Sequence, residues 1–189
     1  MRTDIKTPTR EELDARIARL QSLQPMSTAK DLSWVPLAAM DIVYARKLMP
    51  VILEDTKSPF GNQAPIIGAA GMTMFVSIMP PGQGPCLHSH DGTYETFFVL
   101  DGSIEFRIGD PVAHRVRLNK WDCLSCPPKT YRGFSNVGET DAVLLTVISG
   151  PVEGRDDVSM PHSVAQQVEG EHGTKVLDAF KTVFHFNAA

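Results

Sequence analysis

Two histidines one residue apart, His88 and His90, precede Glu95 in the run Gly82-Gln83-Gly84-Pro85-Cys86-Leu87-His88-Ser89-His90-Asp91-Gly92-Thr93-Tyr94-Glu95. On an extended strand, side chains two residues apart share a face. His88 and His90 can therefore present their imidazoles to one point. Asp91-Gly92 permits a turn, and Glu95 can return on the next strand to that same point. Two neutral imidazoles and one carboxylate suit a divalent transition metal, and a facial set of three leaves positions open for substrate or oxygen. The plainer reading is a pair of loop histidines making ordinary hydrogen bonds. The His-x-His spacing followed by a glutamate favours ligands. His114, His162, His172 and His185 lack such company and are assigned ordinary roles, His114 as a barrel-wall position alternating with Val116 and Leu118.

The elements that must hold these residues read as strands. Leu48 to Leu53 and Met72 to Met79 are β-leaning runs. Thr96 to Leu100 and Ser103 to Ile108 flank Asp101-Gly102, a pattern that predicts a hairpin. His114 to Leu118 alternates, and Val143 to Ile148 forms a last apolar strand before Gly150-Pro151. Strands in succession with no helix between them predict an antiparallel sandwich or barrel. Ahead of them, Thr9-Arg10-Glu11-Glu12 fits a capping box. Leu13, Ile17, Leu20 and Leu23 follow at helical spacing, predicting an amphipathic helix of about 14 residues that packs on the barrel or on a second subunit. Behind them, Val176, Leu177, Phe180, Val183 and Phe184 predict a short C-terminal helix, and Glu153 to His172 reads as polar loop. The resulting division is a helical extension over 1–31, a β-barrel over 32–152 and a loop-and-helix tail over 153–189.

Composition narrows the function classes. The chain has 189 residues, with 18 Lys plus Arg against 22 Asp plus Glu and a net charge of −4. This mildly acidic balance argues against nucleic acid as a partner. The opening residues are charged throughout, which excludes a secretory signal there. The longest uncharged stretch is interrupted by Gly and Pro, which argues against a membrane span. A cytoplasmic location is expected. Cys86, Cys123 and Cys126 are an odd set without a disulfide pattern. The lone Cys123-x-x-Cys126 lies in a strand-like run, so small structural thiols are expected. No phosphate loop and no serine-hydrolase elbow is present.

The spacing Gly82-x5-His88-x-His90-x4-Glu95-x6-Gly102 resembles the first signature of the cupin superfamily at every position. A second signature is similar in part: Trp121-Asp122-x4-Pro127-Pro128-x3-Arg132-Gly133-Phe134-Ser135-Asn136. Pro127 and Asn136 match it. Trp121 and Lys129 stand where glycine is usual, and Arg132 stands where the last metal-binding histidine is usual. The resemblance spans about residues 70 to 150. It implies an all-β, double-stranded β-helix (jelly-roll) barrel, here with an added N-terminal helix and a short C-terminal helix, and a metal inside its mouth. The implied ligands are His88, His90 and Glu95. The implied ion is Fe(II) first, with Mn, Ni or Zn as the other candidates.

A guanidinium carries no lone pair for a metal. Two arrangements therefore follow at Arg132. With the three-ligand set of non-haem iron oxygenases, Arg132 is free to hold a carboxylate or other anion of the substrate. Without a metal, Arg132 pairs with Glu95. Strand parity adds Cys86, Phe97, Val99 and Phe134 as cavity-lining residues. The function expected is an oxygenase-like, metal-dependent enzyme acting on a small anionic organic substrate, with no general base assigned. The competing readings are a non-catalytic binding or sensing module, and a metal-free isomerase or epimerase using His88 or His90 as proton shuttle. Cupins commonly pair sheet to sheet, so a homodimer is expected.

Overall fold

The alternating runs form strands close to where their patterns place them. A computed structural model describes residues 7–26, 32–54, 63–68, 71–150 and 158–188. The barrel strands are β1 (Lys47–Leu53), β2 (Ile66–Ile67), β3 (Met72–Met79), β4 (Tyr94–Asp101), β5 (Ser103–Ile108), β6 (His114–Asn119), β7 (Cys123–Cys126), β8 (Arg132–Asn136) and β9 (Ala142–Ser149). One sheet has the order β2-β1-β3-β9-β4-β7, the other β6-β5-β8. Except for the parallel β1–β2 pair, neighbouring strands are antiparallel. The core lies between the sheets. Phe97, Phe106 and Phe134 pack ring against ring with centroids 5.0–5.2 Å apart, beside the buried Val99, Ile104 and Leu144. This is the all-β jelly-roll that the sequence leads one to expect.

Asp101-Gly102 is not a hairpin. β4 pairs with β7 and β9, whereas β5 pairs with β6 and β8, so the dipeptide carries the chain from one sheet to the other. Gly102 has a φ of +83°, and a Cβ there would lie 2.9 Å from the Ala142 Cβ. A glycine with left-handed φ serves a sheet-to-sheet corner as well as a hairpin, and the local sequence does not separate the two.

The predicted 14-residue N-terminal helix is shorter. The capping box forms, with Glu12 N donating to Thr9 Oγ1 and Thr9 N to Glu12 Oε2. The helix α1 (Arg10–Asp14) ends after five residues, and a single 3-10 turn follows at Leu20–Ser22. Leu13 and Leu20 are exposed, while Leu23 reaches the barrel against Met49 and Val76, with Ala18 beside it. Helical spacing without a surface to bury it does not sustain a helix of this length.

The tail is more ordered than its polarity predicts. The loop reading of Glu153–His172 is overturned over its second part by α3 (His162–His172), while 153–157 lie outside the described residues. Val164, Ala165 and Val168 form its buried stripe. The expected C-terminal helix is α4 (Thr174–Lys181). Both pack with a further helix, α2 (Leu37–Val43), in one apolar cluster with Met160 and Phe184. Two short strands, β10 (Ser159–Met160) and β11 (His185–Phe186), pair in parallel across the tail. On the opposite side, β6 is an edge strand on which His114 and Val116 are exposed, so His114 is not a barrel-wall residue. No helix among the described residues is long and apolar enough to cross a membrane.

Candidate metal centre

The histidine segment runs antiparallel beside β8. His88 N donates to Arg132 O at 2.8 Å, and Arg132 N donates back to His88 O at 2.9 Å. A Cβ on Gly133 would come within 2.8 Å of the Cys86 carbonyl carbon, so the absent side chain is what lets the two backbones approach. On the other side, Ser89 exchanges two hydrogen bonds with Ser159 of β10, and Lys129 N donates to His90 O. The segment is thus clamped between the barrel and the tail. His88 and Arg132 are directly opposed, so their side chains leave the same face. Glu95, near the start of β4, points inward among them.

Three donor atoms converge on one point. His88 Nε2 lies 3.5 Å and His90 Nε2 3.7 Å from Glu95 Oε2. One ligand atom from each of the three residues lies within 4.8 Å of the others, and all three residues are buried. Arg132, 0% exposed, donates from Nε to that same Oε2 at 2.8 Å and from Nη1 to the Thr130 carbonyl at 3.0 Å. Its Nη2 has no hydrogen-bond partner among the described residues.

The electrostatics favour ligand chemistry at the histidine. Burial holds the His88 pKa below its ordinary value, overriding the pull of Glu95, and the Arg132 and His90 charges add to the depression. His88 is therefore neutral at neutral pH. With Nδ1–H donated to the Cys86 carbonyl at 2.9 Å, its lone pair sits on Nε2, facing Glu95. A carbonyl on the far ring nitrogen is the usual way a metal-binding imidazole is oriented. Burial alone would raise Glu95, but the Arg132 guanidinium and the neighbouring histidines outweigh it and hold the carboxyl well below the usual range.

The donor set fits a first-row divalent ion. At metal–ligand bonds of about 2.1 Å, adjacent ligands on one ion lie about 3.0–3.5 Å apart, close to the 3.5 and 3.7 Å between Glu95 Oε2 and the two imidazole nitrogens. Arg132 qualifies the fit, because its positive charge rests on the carboxylate oxygen that the two imidazoles also face.

A cavity of about 120 Å³ opens above the three donors. Its wall is mostly apolar, with Phe75, Phe134, Met160 and Phe184 among its residues, and Ser77 and Thr146 contribute hydroxyls. Tyr44, which ends α2, also lines it. Its hydroxyl is buried without a hydrogen-bond partner among the described residues, and burial pushes the phenol above its ordinary pKa.

The expected lining residues separate. Phe134 lines the cavity. Phe97 and Val99 face inward but lie deeper, in the closed core. Cys86 lies behind the wall, its Sγ 3.9 Å from Met160 Sδ, and borders a different recess with Arg107 and Ser163. Arg132 lies against Glu95 and is not among the lining residues, which include no Lys or Arg. Sequence reasoning missed Tyr44, Ser77, Thr146 and the tail residues Val183 and Phe184. Ser77 and Thr146 did carry a signal, since each is a hydroxyl flanked by two apolar residues on either side within its strand, and each is buried. Trp121 and Lys129, which replace expected glycines, have φ of 76° and 60°. The backbone conformation that favours glycine is thus kept where glycine itself is not.

Residues 75–148 match the cupin domain family. The chain is 25% identical over 148 residues to germin-like protein subfamily T member 3 of Arabidopsis thaliana, covering 75% of this chain and 64% of that protein's length. Among solved structures it is similar to a Schizosaccharomyces pombe protein, the Cnp3 cupin domain, with a TM-score of 0.43, 19% identity and coverage of 56% and 66% of the two chains. It is also similar to a Klebsiella pneumoniae protein with a double-stranded β-helix domain, with a TM-score of 0.40, 22% identity and coverage of 42% and 64%.

Proposed function

Residues 75–148 match the cupin domain family, and we propose that this chain binds one divalent transition ion through His88, His90 and Glu95 and acts as an oxygenase-like enzyme on a small organic substrate. The observation that carries this reading is the convergence of the three donor atoms within 4.8 Å in the lining of a mostly apolar cavity. A bound ion would supply Lewis acidity and open coordination positions for substrate or dioxygen. The rest falls to the chain. The apolar wall receives the hydrocarbon part of the substrate and excludes water. Ser77, Thr146 and Tyr44 offer hydroxyls to its polar part. The Cys86 carbonyl fixes the His88 ring. Glu95 and Arg132 cancel in charge, so the loaded site is positive overall and favours an anionic substrate. Arg132 lies against Glu95 outside the cavity lining and does not itself reach that substrate.

Elemental analysis of protein purified without an affinity tag tests the reading. After equilibrium dialysis against Fe(II), Mn(II), Ni(II) or Zn(II), about one ion per chain above the dialysate is expected. His88→Ala and His90→Ala should lose the ion while the far-UV spectrum stays β-rich. Nitric oxide added to the ferrous protein should give an iron–nitrosyl signal. Equal metal retention by both variants would refute the ligand assignment.

One observation favours a second reading. The 2.8 Å contact between the fully buried Arg132 and Glu95 already neutralises the carboxylate without an ion. In a metal-free isomerase or epimerase, neutral His88 would take the proton. That reading requires metal-free protein that gains nothing when Fe(II) or Mn(II) is added.

A further inference from the structure

We infer that Arg132 is a built-in competitor for the metal: its guanidinium stands where a fourth ligand would stand and holds the oxygen an entering ion must take, which makes the site weak and exchangeable. The inference rests on the metal-binding reading above. Three observations carry it. Arg132 is directly opposed to His88 through two backbone hydrogen bonds, so its side chain leaves the same face toward the same point. Its Nε lies 2.8 Å from Glu95 Oε2, the very atom that His88 Nε2 and His90 Nε2 face at 3.5 and 3.7 Å. And it cannot swing into solvent, being 0% exposed and tied through Nη1 to the Thr130 carbonyl.

The charge count gives the consequence. Without an ion, Glu95 and Arg132 form a neutral pair, so the emptied site is electrostatically complete and keeps its shape. An entering divalent ion meets a carboxylate whose charge is already matched, and it gains a cationic neighbour inside a poorly screened interior. Only three protein donors repay that cost. A histidine at the same position would remove the repulsion and add a donor. A methionine would remove the repulsion and leave a poor ligand for hard ions. A lysine would keep the positive charge while losing the planar fork.

Mn(II) binding, followed by the electron paramagnetic resonance of the free ion, separates these effects in the 189-residue chain. Wild type should bind one Mn(II) per chain, weakly. Arg132→His should bind on the order of 100-fold more tightly, and Arg132→Met about 10-fold more tightly. Arg132→Lys should stay near wild type. Melting curves establish which variants are folded, and if Arg132→Met is not, the histidine and lysine variants decide. Weak binding by wild type with the ranked gains supports both readings. No binding by wild type but clear binding by Arg132→His supports the competitor role and overturns native metal dependence. Folded Arg132→His no tighter than wild type overturns the competitor role and leaves the metal site standing. No Mn(II) binding by any folded variant overturns both.

Discussion

One strand carries two opposite solutions to filling a barrel. Near one end of β4, Glu95 turns inward among His88, His90 and Arg132. Two and four residues further on, Phe97 and Val99 turn inward from the same face into a core of Phe106, Phe134, Ile104 and Leu144. The apolar base is held by burial and ring packing, which are tolerant of direction. The mouth is held by charge pairing and hydrogen bonds, in which each atom depends on its partner. Losing volume costs stability in the base. In the mouth, losing one atom leaves a buried ion unmatched.

The largest test of this contrast sets Phe97→Ala against Glu95→Gln. Phe97→Ala removes a fully buried ring and should cost about 3–5 kcal/mol in urea unfolding. Glu95→Gln keeps the shape but leaves the buried Arg132 without its carboxylate, and should cost a similar amount, about 3–5 kcal/mol. Acid separates the two. The folded Glu95 pKa is depressed, since the Arg132 guanidinium, with the neighbouring histidines, outweighs the upward push of burial. Its stabilisation is therefore fully present above the unfolded carboxyl pKa of about 4.3 and is lost as pH falls below it toward the folded value. Phe97→Ala should keep that acid-dependent loss, and Glu95→Gln should flatten it. Parallel pH profiles for the two variants would show that the mouth is not held by the ion pair.

The two halves also differ in how far the sequence foretold them. Strand parity with Glu95 placed Phe97 and Val99 on the inner face, because it survives in a regular strand. Parity says nothing of depth, so Phe97 and Val99 were assigned to the cavity when they lie beneath it. It also fails where the chain leaves the strand. Residues 83–87 are irregular, and Cys86 does not follow His88 and His90 into the cavity. His88, His90 and Glu95 were legible because their spacing encodes a geometry. Which arrangement Arg132 adopts was not, since it depends on the cross-strand pairing with His88. Tyr44, Val183 and Phe184 reach the cavity from α2 and the tail, at separations that no local pattern encodes.

A smaller effect, of opposite sign, is expected at the cavity wall. The Tyr44 hydroxyl is buried and has no hydrogen-bond partner among the described residues. Leaving such a group unmatched costs about 1–3 kcal/mol. Tyr44→Phe removes the hydroxyl and keeps the ring, which packs on Phe184 with centroids 5.4 Å apart. The free protein should gain about 1 kcal/mol, seen as a higher melting temperature. Lower stability would mean that a hydrogen bond to that hydroxyl operates in solution and that the wall is as well matched as the charged cluster below it.

The smallest perturbation uses the three cysteines as reporters of how tightly each region closes. Cys123 is exposed on β7, whereas Cys86 lies behind the mouth and Cys126 is 2% exposed at the boundary with the base. Alkylation requires both access and thiolate. Burial pushes the Cys86 thiol up to about 12, the nearby Arg107 offsetting only part of that rise. At pH 8 its thiolate is then on the order of one part in ten thousand. Burial raises Cys126 as well, with Arg132 opposing and Glu95 reinforcing. Iodoacetamide at pH 8 should therefore modify one thiol per native chain, at Cys123, as read by intact mass and peptide mapping. In Phe97→Ala the second thiol to react should be Cys126, which belongs to the loosened base cluster. Cys86 packs in the separate cluster of α2 and the tail, and its reactivity should change less. If Cys86 reacts first in that variant, the base and the tail open as one unit, and the division drawn along β4 does not hold in solution.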